Sequence, residues 1–243
     1  YVFYNGSITT ENASGADVII TGSTAADLFG IMLTAGDFNA DGQTDLAVSA
    51  TQTGAAGKVY LFYGDGTLPT TAGTADVTIT GKSGVYGLGR SLTAGDFNAD
   101  GRVDLAVGAS YYTSDIGEAY IFYNDGSYPA NAANADVVIG GQGLYSHFGD
   151  ALATGDWNAD GRTDLVAGAP GYRGAILQGR AYIFYSQNGQ VNTNQSIAGE
   201  TTSNSFGAAM TTGDFNADGR MDLAVGARGY STSRGRAYIF YGD

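Results

Sequence analysis

Asp37, Asn39, Asp41 and Asp45 fall within nine residues of the stretch GDFNADGQTDLAVSA, which runs from Gly36 to Ala50. Counted from Asp37, oxygen-bearing side chains occupy positions 1, 3, 5 and 9, and Gly42 occupies position 6. Alternate side chains of a tight loop converge on one point. Carboxylate and amide oxygens are ligands for a hard cation, and Ca²⁺ is the usual occupant of such a set. Glycine at position 6 permits the sharp turn. Position 7 is Gln43 here, and its backbone carbonyl can add a further oxygen. Three carboxylates bring three negative charges together, and without an ion they repel across a few ångströms.

The stretch is written three more times. The second copy places Asp96, Asn98, Asp100 and Asp104 at the ligand positions, with Arg102 at position 7. The third uses Asp156, Asn158, Asp160 and Asp164 with Arg162, and the fourth Asp214, Asn216, Asp218 and Asp222 with Arg220. Position 7 is Gln once and Arg three times, so its side chain is not selected for ligation and the backbone carbonyl is the donor expected there. A single copy would read as a polar turn. Four copies with the same ligand positions point to four Ca²⁺ sites. An EF-hand is excluded because it needs a glutamate at position 12 between helices; here position 12 is Val48, Val107, Ala167 or Val225. Mg²⁺ fits less well, since it keeps several waters and takes fewer protein ligands.

The elements that must hold these loops repeat with them. The leading aspartates are 59, 60 and 58 residues apart, and a fixed period of this size marks a repeat architecture. Seven residues before each stands a glycine: Gly30, Gly89, Gly149 and Gly207. Each period holds four short segments rich in Val, Ile, Tyr and Phe, bounded by Gly, Asn, Asp and Thr, which read as strands. They are A (FGIMLTAGD), B (DLAVSA), C (VYLFY) and D (DVIIT). No segment has helical periodicity. B and C are apolar on both faces, which suits sheets buried on both sides. The prediction is all-β: a β-propeller of four-stranded antiparallel blades, with four repeats present, each blade packing on its neighbours. A double-sheet sandwich or a β-solenoid is the alternative; four strands per period exceed a solenoid coil of about 20–30 residues. The whole chain reads as one domain, with repeats at about 1–58, 59–118, 119–180 and 181–236 and a terminal strand at 237–243.

With LFG, HFG and SFG before the loops, GAP at Gly168–Pro170 and VSAT, VGAS and VGAR in the other copies, the chain resembles the FG-GAP repeat family. These are the repeats of the integrin α-subunit propeller and of many bacterial secreted proteins. The loop matches that family's DxNxDGxxD calcium loop residue by residue. The resemblance implies the fold and the metal; it leaves function open, because one fold hosts many functions. It also suggests seven blades. The order of strands reads C, D, three rounds of A-B-C-D, then A-B-C. The fourth repeat therefore lacks strand D, which ADVIITG near the start could supply. Either four blades close as a small ring or the chain is a segment of a larger propeller.

Net charge is −13, and twelve of the 24 acidic residues lie in the four loops. Four bound Ca²⁺ would bring the formal charge to −5. The chain carries no basic patch for nucleic acid and no apolar run long enough for a transmembrane segment. Cysteine is absent, so calcium is the available staple. Weak loops fill at extracellular calcium, so a secreted or cell-surface location is expected. No signal peptide is seen, and Tyr1 lies in a C-like strand (YVFYNG), which reads as a mature form or an excised segment.

Antiparallel A-B-C-D order puts A–B and C–D loops on one face and B–C and D–A loops on the other. The B–C loops vary and carry Tyr111, Tyr112, Tyr172, Arg173, Arg228, Tyr230 and Arg234; the D–A loops add Tyr86, Tyr145 and His147. Tyr and Arg are favoured in recognition surfaces, and Tyr111, Tyr112, Tyr172, Arg173 and Tyr230 are the candidate ligand-binding residues. Catalytic signals are poor: there is no GxSxG or HExxH, and His147, the one histidine, reads as a packing residue. The chain is therefore expected not to be an enzyme. The leading function is a calcium-binding adhesion or protein-interaction module. A carbohydrate-binding lectin and a non-catalytic segment of a larger secreted enzyme are the alternatives.

Overall fold

The structure is a computed structural model. It describes residue 2 and residues 12–51, 56–82, 87–172, 178–187, 190–201 and 204–242, with the backbone alone at 190–194. Four antiparallel sheets follow one another along the chain. The first is β1 (Phe29–Gly36), β2 (Asp45–Ala50), β3 (Lys58–Phe62) and β4 (Val77–Thr80). The second is β5 (Leu88–Gly95), β6 (Asp104–Ala109), β7 (Glu118–Phe122) and β8 (Val137–Gly140). The third is β9 (Leu152–Gly155), β10 (Asp164–Ala169), β11 (Arg180–Gln187) and β12 (Gln190–Ala198). The fourth holds β13 (Phe206–Gly213), β14 (Asp222–Ala227) and β15 (Arg236–Phe240), with no fourth strand among the described residues.

These strands fall where the A, B, C and D segments were expected, and the sheets are consistent with propeller blades. The exception is the first DVIIT segment: Val18 forms an isolated antiparallel bridge to Val2, and Thr21 a parallel one to Thr71. The expected C-like strand at Tyr1–Tyr4 lies outside the described residues apart from Val2.

Each sheet has two apolar faces. On one, which we call the front, Phe38, Ala47, Val59 and Leu61 of the first sheet are fully buried. They pack against the back of the second sheet, formed by Leu88, Leu92, Leu105, Val107, Tyr120 and Phe122. The same front-to-back arrangement joins the second sheet to the third, through Phe97, Ala106, Ala119 and Ile121 against Phe148, Leu165, Tyr182 and Phe184. It joins the third to the fourth, through Val166, Ala181 and Ile183 against Phe206, Leu223, Val225 and Tyr238. Aromatic pairs line each back face, with Phe148 edge-on to Tyr182 at 5.6 Å and Phe206 edge-on to Tyr238 at 5.3 Å. Such edge-to-face pairs add to the energy of burial.

The glycine of the FG pair explains itself in this packing. Gly30, Gly89, Gly149 and Gly207 all have positive φ, between 81° and 89°. Pairing registers slip beside three of them, a bulge in each A strand. At Gly89, a Cβ would stand 2.5 Å from Ser49 Cβ on the preceding sheet. At Gly168 a Cβ would meet the Gly207 carbonyl oxygen, and at Gly108 the Gly149 carbonyl oxygen, both well under 3.0 Å. The FG glycine of one sheet is thus seated on the small residue of strand B of the sheet before it, and backbones touch where side chains cannot fit.

Candidate functional site

The four acidic loops join A to B in every sheet and share one conformation. Ala40, Ala99, Ala159 and Ala217 at position 4 have φ of 55–60°. Gly42, Gly101, Gly161 and Gly219 at position 6 have φ of 81–86°. Left-handed backbone at both positions lets the side chains of positions 1, 3 and 5 turn inward. The Asp41 N–H donates to Asp37 Oδ1 at 3.1 Å and to Asn39 Oδ1 at 3.0 Å. The Gly42 N–H donates to Asp37 Oδ2 at 2.9 Å, and the Gln43 N–H to Asp41 Oδ1 at 2.7 Å. The Asn39 side-chain amide donates to Asp41 Oδ2 at 3.0 Å. The same bonds recur around Asp100, Asp160 and Asp218 within about 0.3 Å. Loop N–H groups hold the carboxylates of Asp41 and Asp218 below the usual aspartate range, the Gln43 and Arg220 N–H groups acting most strongly, followed by the Asn39 and Asn216 amides.

Position 9 is different. Asp45, Asp104, Asp164 and Asp222 are buried, and each carboxylate receives two backbone N–H groups. For Asp45 these are Phe38, at position 2 of its own loop, and Gly64, at the start of the C–D loop, both at 2.7 Å. For Asp104 they are Phe97 and Asn124, both at 2.8 Å. For Asp164 they are Trp157 at 3.0 Å and Ser186 at 2.9 Å, and for Asp222 Phe215 at 2.7 Å and Gly242 at 2.9 Å. This aspartate ties the A–B loop to the chain leaving strand C. Burial pushes the carboxyls of Asp104 and Asp164 up to about 6, against the pull of the N–H groups. Asp45 shifts in the same direction for the same reason.

Among the described residues, no three acidic or histidine side chains stand close enough together to cage an ion. The donor chemistry nevertheless fits a hard cation. Asp37 and Asn39 aim one oxygen each at the same N–H, Asp41 sits beside them, and every donor is an oxygen. The oxygens at positions 1, 3 and 5 now accept loop N–H groups and that of position 9 is turned toward two more. Reading position 9 as a ligand from its spacing left out this second use.

On the opposite face, B–C and D–A loops meet. The Tyr145 N–H donates to the Ser114 carbonyl, His147 N–H to that of Asp115, and Gly171 N–H to that of Ser146. Tyr112, Tyr172 and Tyr230 are half-buried and pack on the cores of their sheets. Cations cover them: Lys82 lies 5.3 Å from the Tyr112 ring, Arg180 4.4 Å from Tyr172 and Arg236 3.7 Å from Tyr230. Tyr111 is the exposed member of the set, at 43 %, edge-on to His147 at 5.4 Å, and Tyr145 and Leu144 beside them are exposed as well. Arg173 and Tyr86 lie outside the described residues. The covering cations were not anticipated, although an Arg two residues before a strand-C tyrosine is visible in RAYIFY.

No helix among the described residues is long and apolar enough to cross a membrane. The model of the FG-GAP repeat matches residues 148–184 and 206–240, and that of the FG-GAP-like repeat matches 37–107. Mouse phosphatidylinositol-glycan-specific phospholipase D is 35 % identical over 169 residues, 63 % of this chain and 20 % of that protein. Integrin alpha pat-2 of Caenorhabditis briggsae is 28 % identical over 226 residues, 83 % of this chain and 18 % of the integrin. Drosophila melanogaster integrin alpha-PS2 is 35 % identical over 169 residues, 64 % of this chain and 12 % of the integrin. The chain thus spans a fifth or less of the length of these relatives. Matches to the repeat models in all four sheets, together with the integrin relatives, show that the chain belongs to the FG-GAP repeat family.

Proposed function

We propose that the chain is a calcium-loaded, extracellular interaction module of the adhesion type, a propeller segment that binds a partner and performs no chemistry of its own. The observation that supports it most is the fourfold loop, in which side-chain oxygens of positions 1, 3 and 5 gather in the same way each time. Ca²⁺ would be held by Asp37, Asn39, Asp41, Asp45 and the Gln43 carbonyl, and by their counterparts in the other loops. The bound ion neutralises clustered carboxylates and rigidifies the A–B loop; it supplies no catalytic chemistry. The integrin relatives favour a protein ligand. The phospholipase D relatives favour a second reading, in which the same module is a non-catalytic part of a larger secreted enzyme.

Recognition is assigned to the face away from the metal, around Tyr111, Tyr145 and His147. A protein or a glycan is the expected class of ligand, and aromatic rings with polar edges suit either. The test pairs calcium with structure. Asp100→Ala should remove one ion per chain and lower thermal stability in calcium, while leaving the EDTA-treated protein close to the parent, because Asp100 is exposed. Equal calcium content in the variant would refute the ligand assignment.

A further inference from the structure

The acidic loops touch one another through residues that are not ligands. Asn124, 1 % exposed, opens the C–D loop of the second sheet. Its N–H donates to Asp104 Oδ1 at 2.8 Å, and its carbonyl accepts from Arg102 Nη1 at 3.2 Å. Its side-chain amide crosses to the first sheet and donates to the Asp37 carbonyl at 3.3 Å. One buried residue thus joins positions 7 and 9 of the second loop to position 1 of the first. A bond this deeply buried has no water to replace it, so losing it leaves the amide unsatisfied.

The next junction makes the same connection with other residues. Thr163 stands at position 8 of the third loop. Its N–H donates to the Asp96 carbonyl at 3.3 Å, and its Oγ1 accepts the Asp96 N–H at 3.2 Å. Both backbone groups of position 1 of the second loop are therefore held by one residue of the third. Ser186, the buried counterpart of Asn124, donates its hydroxyl to the Thr163 carbonyl at 2.7 Å and its N–H to Asp164 Oδ1 at 2.9 Å. At the third junction the corresponding residues are Met221 and Gly242, and neither side chain offers a hydroxyl or an amide. Thr212 Oγ1 does donate to the Thr154 carbonyl there, at 2.7 Å, but both residues belong to strands A, two positions ahead of the first ligand.

We infer that the first three loops bind calcium as a coupled set, with positive cooperativity carried by Asn124 and Thr163, and that the fourth loop binds independently of them. The inference rests on the calcium reading of the loops. Filling one loop orders its position-9 aspartate and the bridging residue bonded to it. The neighbouring loop then has the backbone of its first ligand already fixed, and its own binding needs less ordering. The coupling is reciprocal: each of the two linked loops raises the affinity of the other by the same factor. Asn124 and Thr163 are positioning residues, acting through Asp37 and Asp96 and not as ligands themselves.

Calcium titration of the full chain followed by amide NMR tests this site by site. The N–H groups of Gly42, Gly101, Gly161 and Gly219 each donate to the position-1 carboxylate of their own loop, so each reports one site. Asp100→Ala, which disables the second loop, should weaken the first and third sites by about fivefold or more, as coupling between sites ordinarily does, and leave the fourth at the parent's affinity. Asp218→Ala, which disables the fourth, should leave the other three unchanged. Thr163→Val should be tolerated, since Val103 stands at the same position of the second loop. In that background Asp100→Ala should still weaken the first site but no longer the third, whereas Thr163→Ser, which keeps the hydroxyl, should behave as the parent. A loss of affinity from mere destabilisation would reach the fourth site as well. Four ions bound independently, with Asp100→Ala leaving its neighbours at the parent's affinity, overturn the inference alone, and so does a Thr163→Val chain in which the second and third sites stay coupled. A chain that binds no calcium overturns the inference together with the calcium reading.

Discussion

Adding one methyl group at the same repeat position should have opposite consequences in two sheets. Gly168 and Gly226 both occupy the next-to-last residue of strand B. A Cβ at Gly168 meets the Gly207 carbonyl oxygen well under 3.0 Å, where ordinary contact begins near 3.4 Å. The obstacle is backbone on a neighbouring sheet, so relief requires the third and fourth sheets to part by roughly 1 Å or more. A gap of about 0.5–1 Å forfeits a quarter to a half of each dispersion contact along the junction. Overpacking of this kind costs about 1–3 kcal/mol and sometimes more, and a rigid backbone neighbour puts Gly168→Ala near the upper end, about 3 kcal/mol. At about 2–4 °C per kcal/mol for a chain of this size, its melting temperature should fall by about 6–12 °C. Gly226→Ala meets only Ala209 of its own sheet at 3.5 Å. It should keep the parent's melting temperature or gain slightly, since glycine inside a strand costs about 0.5–1 kcal/mol relative to alanine. Calorimetry measures both. A Gly168→Ala protein that melts within a degree of the parent, or a Gly226→Ala protein that loses as much, would refute the interlock of FG glycine and strand-B glycine.

Three further outcomes follow from the same geometry. In EDTA, the folded chain holds extra protons at Asp104 and Asp164 between about 4 and 6, because burial raises these carboxyls above their unfolded value; stability should therefore rise as pH falls through 6 toward 4, and urea titrations should show it. Asp41 and Asp218, which are lowered, act in the opposite sense only below about pH 4. Tyr111→Ala should leave melting and calcium content within about 0.5 kcal/mol of the parent while weakening ligand binding by about 2 kcal/mol or more if it anchors the partner; unchanged affinity would move recognition elsewhere. Tyr172→Ala, by contrast, should lower the melting temperature, since its ring lies under Arg180 and edge-on to Tyr182.

The strands and the loops were legible because each is written four times at a nearly constant spacing, and the alternation of Gly, Asp and short apolar runs left little freedom in their assignment. β12 was harder to read: NTNQSIA lacks the Asp-Val start of the other fourth strands, and its pairing with β11 comes from a long hairpin that shifts register at Ile183 and Phe184. The place of Asp45, Asp104, Asp164 and Asp222 was only half legible. Their oxygens were anticipated in the loop, but their second partners are backbone N–H groups 19 to 22 residues onward, and a main-chain donor leaves no mark in the sequence. The tyrosines divided for a similar reason. Tyr111 and Tyr112 are neighbours in sequence, yet one faces solvent and the other lies against the core beneath Lys82. That distinction depends on where the B–C loop turns.

Calcium stoichiometry tests the central claim most directly. Isothermal titration of the metal-free chain, with EDTA melting as its companion, should give four ions per chain and a stabilisation of about 2.7 kcal/mol per site at a hundredfold excess over Kd. Asp100→Ala should reduce the count to three. No heat of binding, and a melting curve that EDTA leaves unchanged, would show that the four acidic loops are turns held by their own N–H groups and that calcium has no place in this protein.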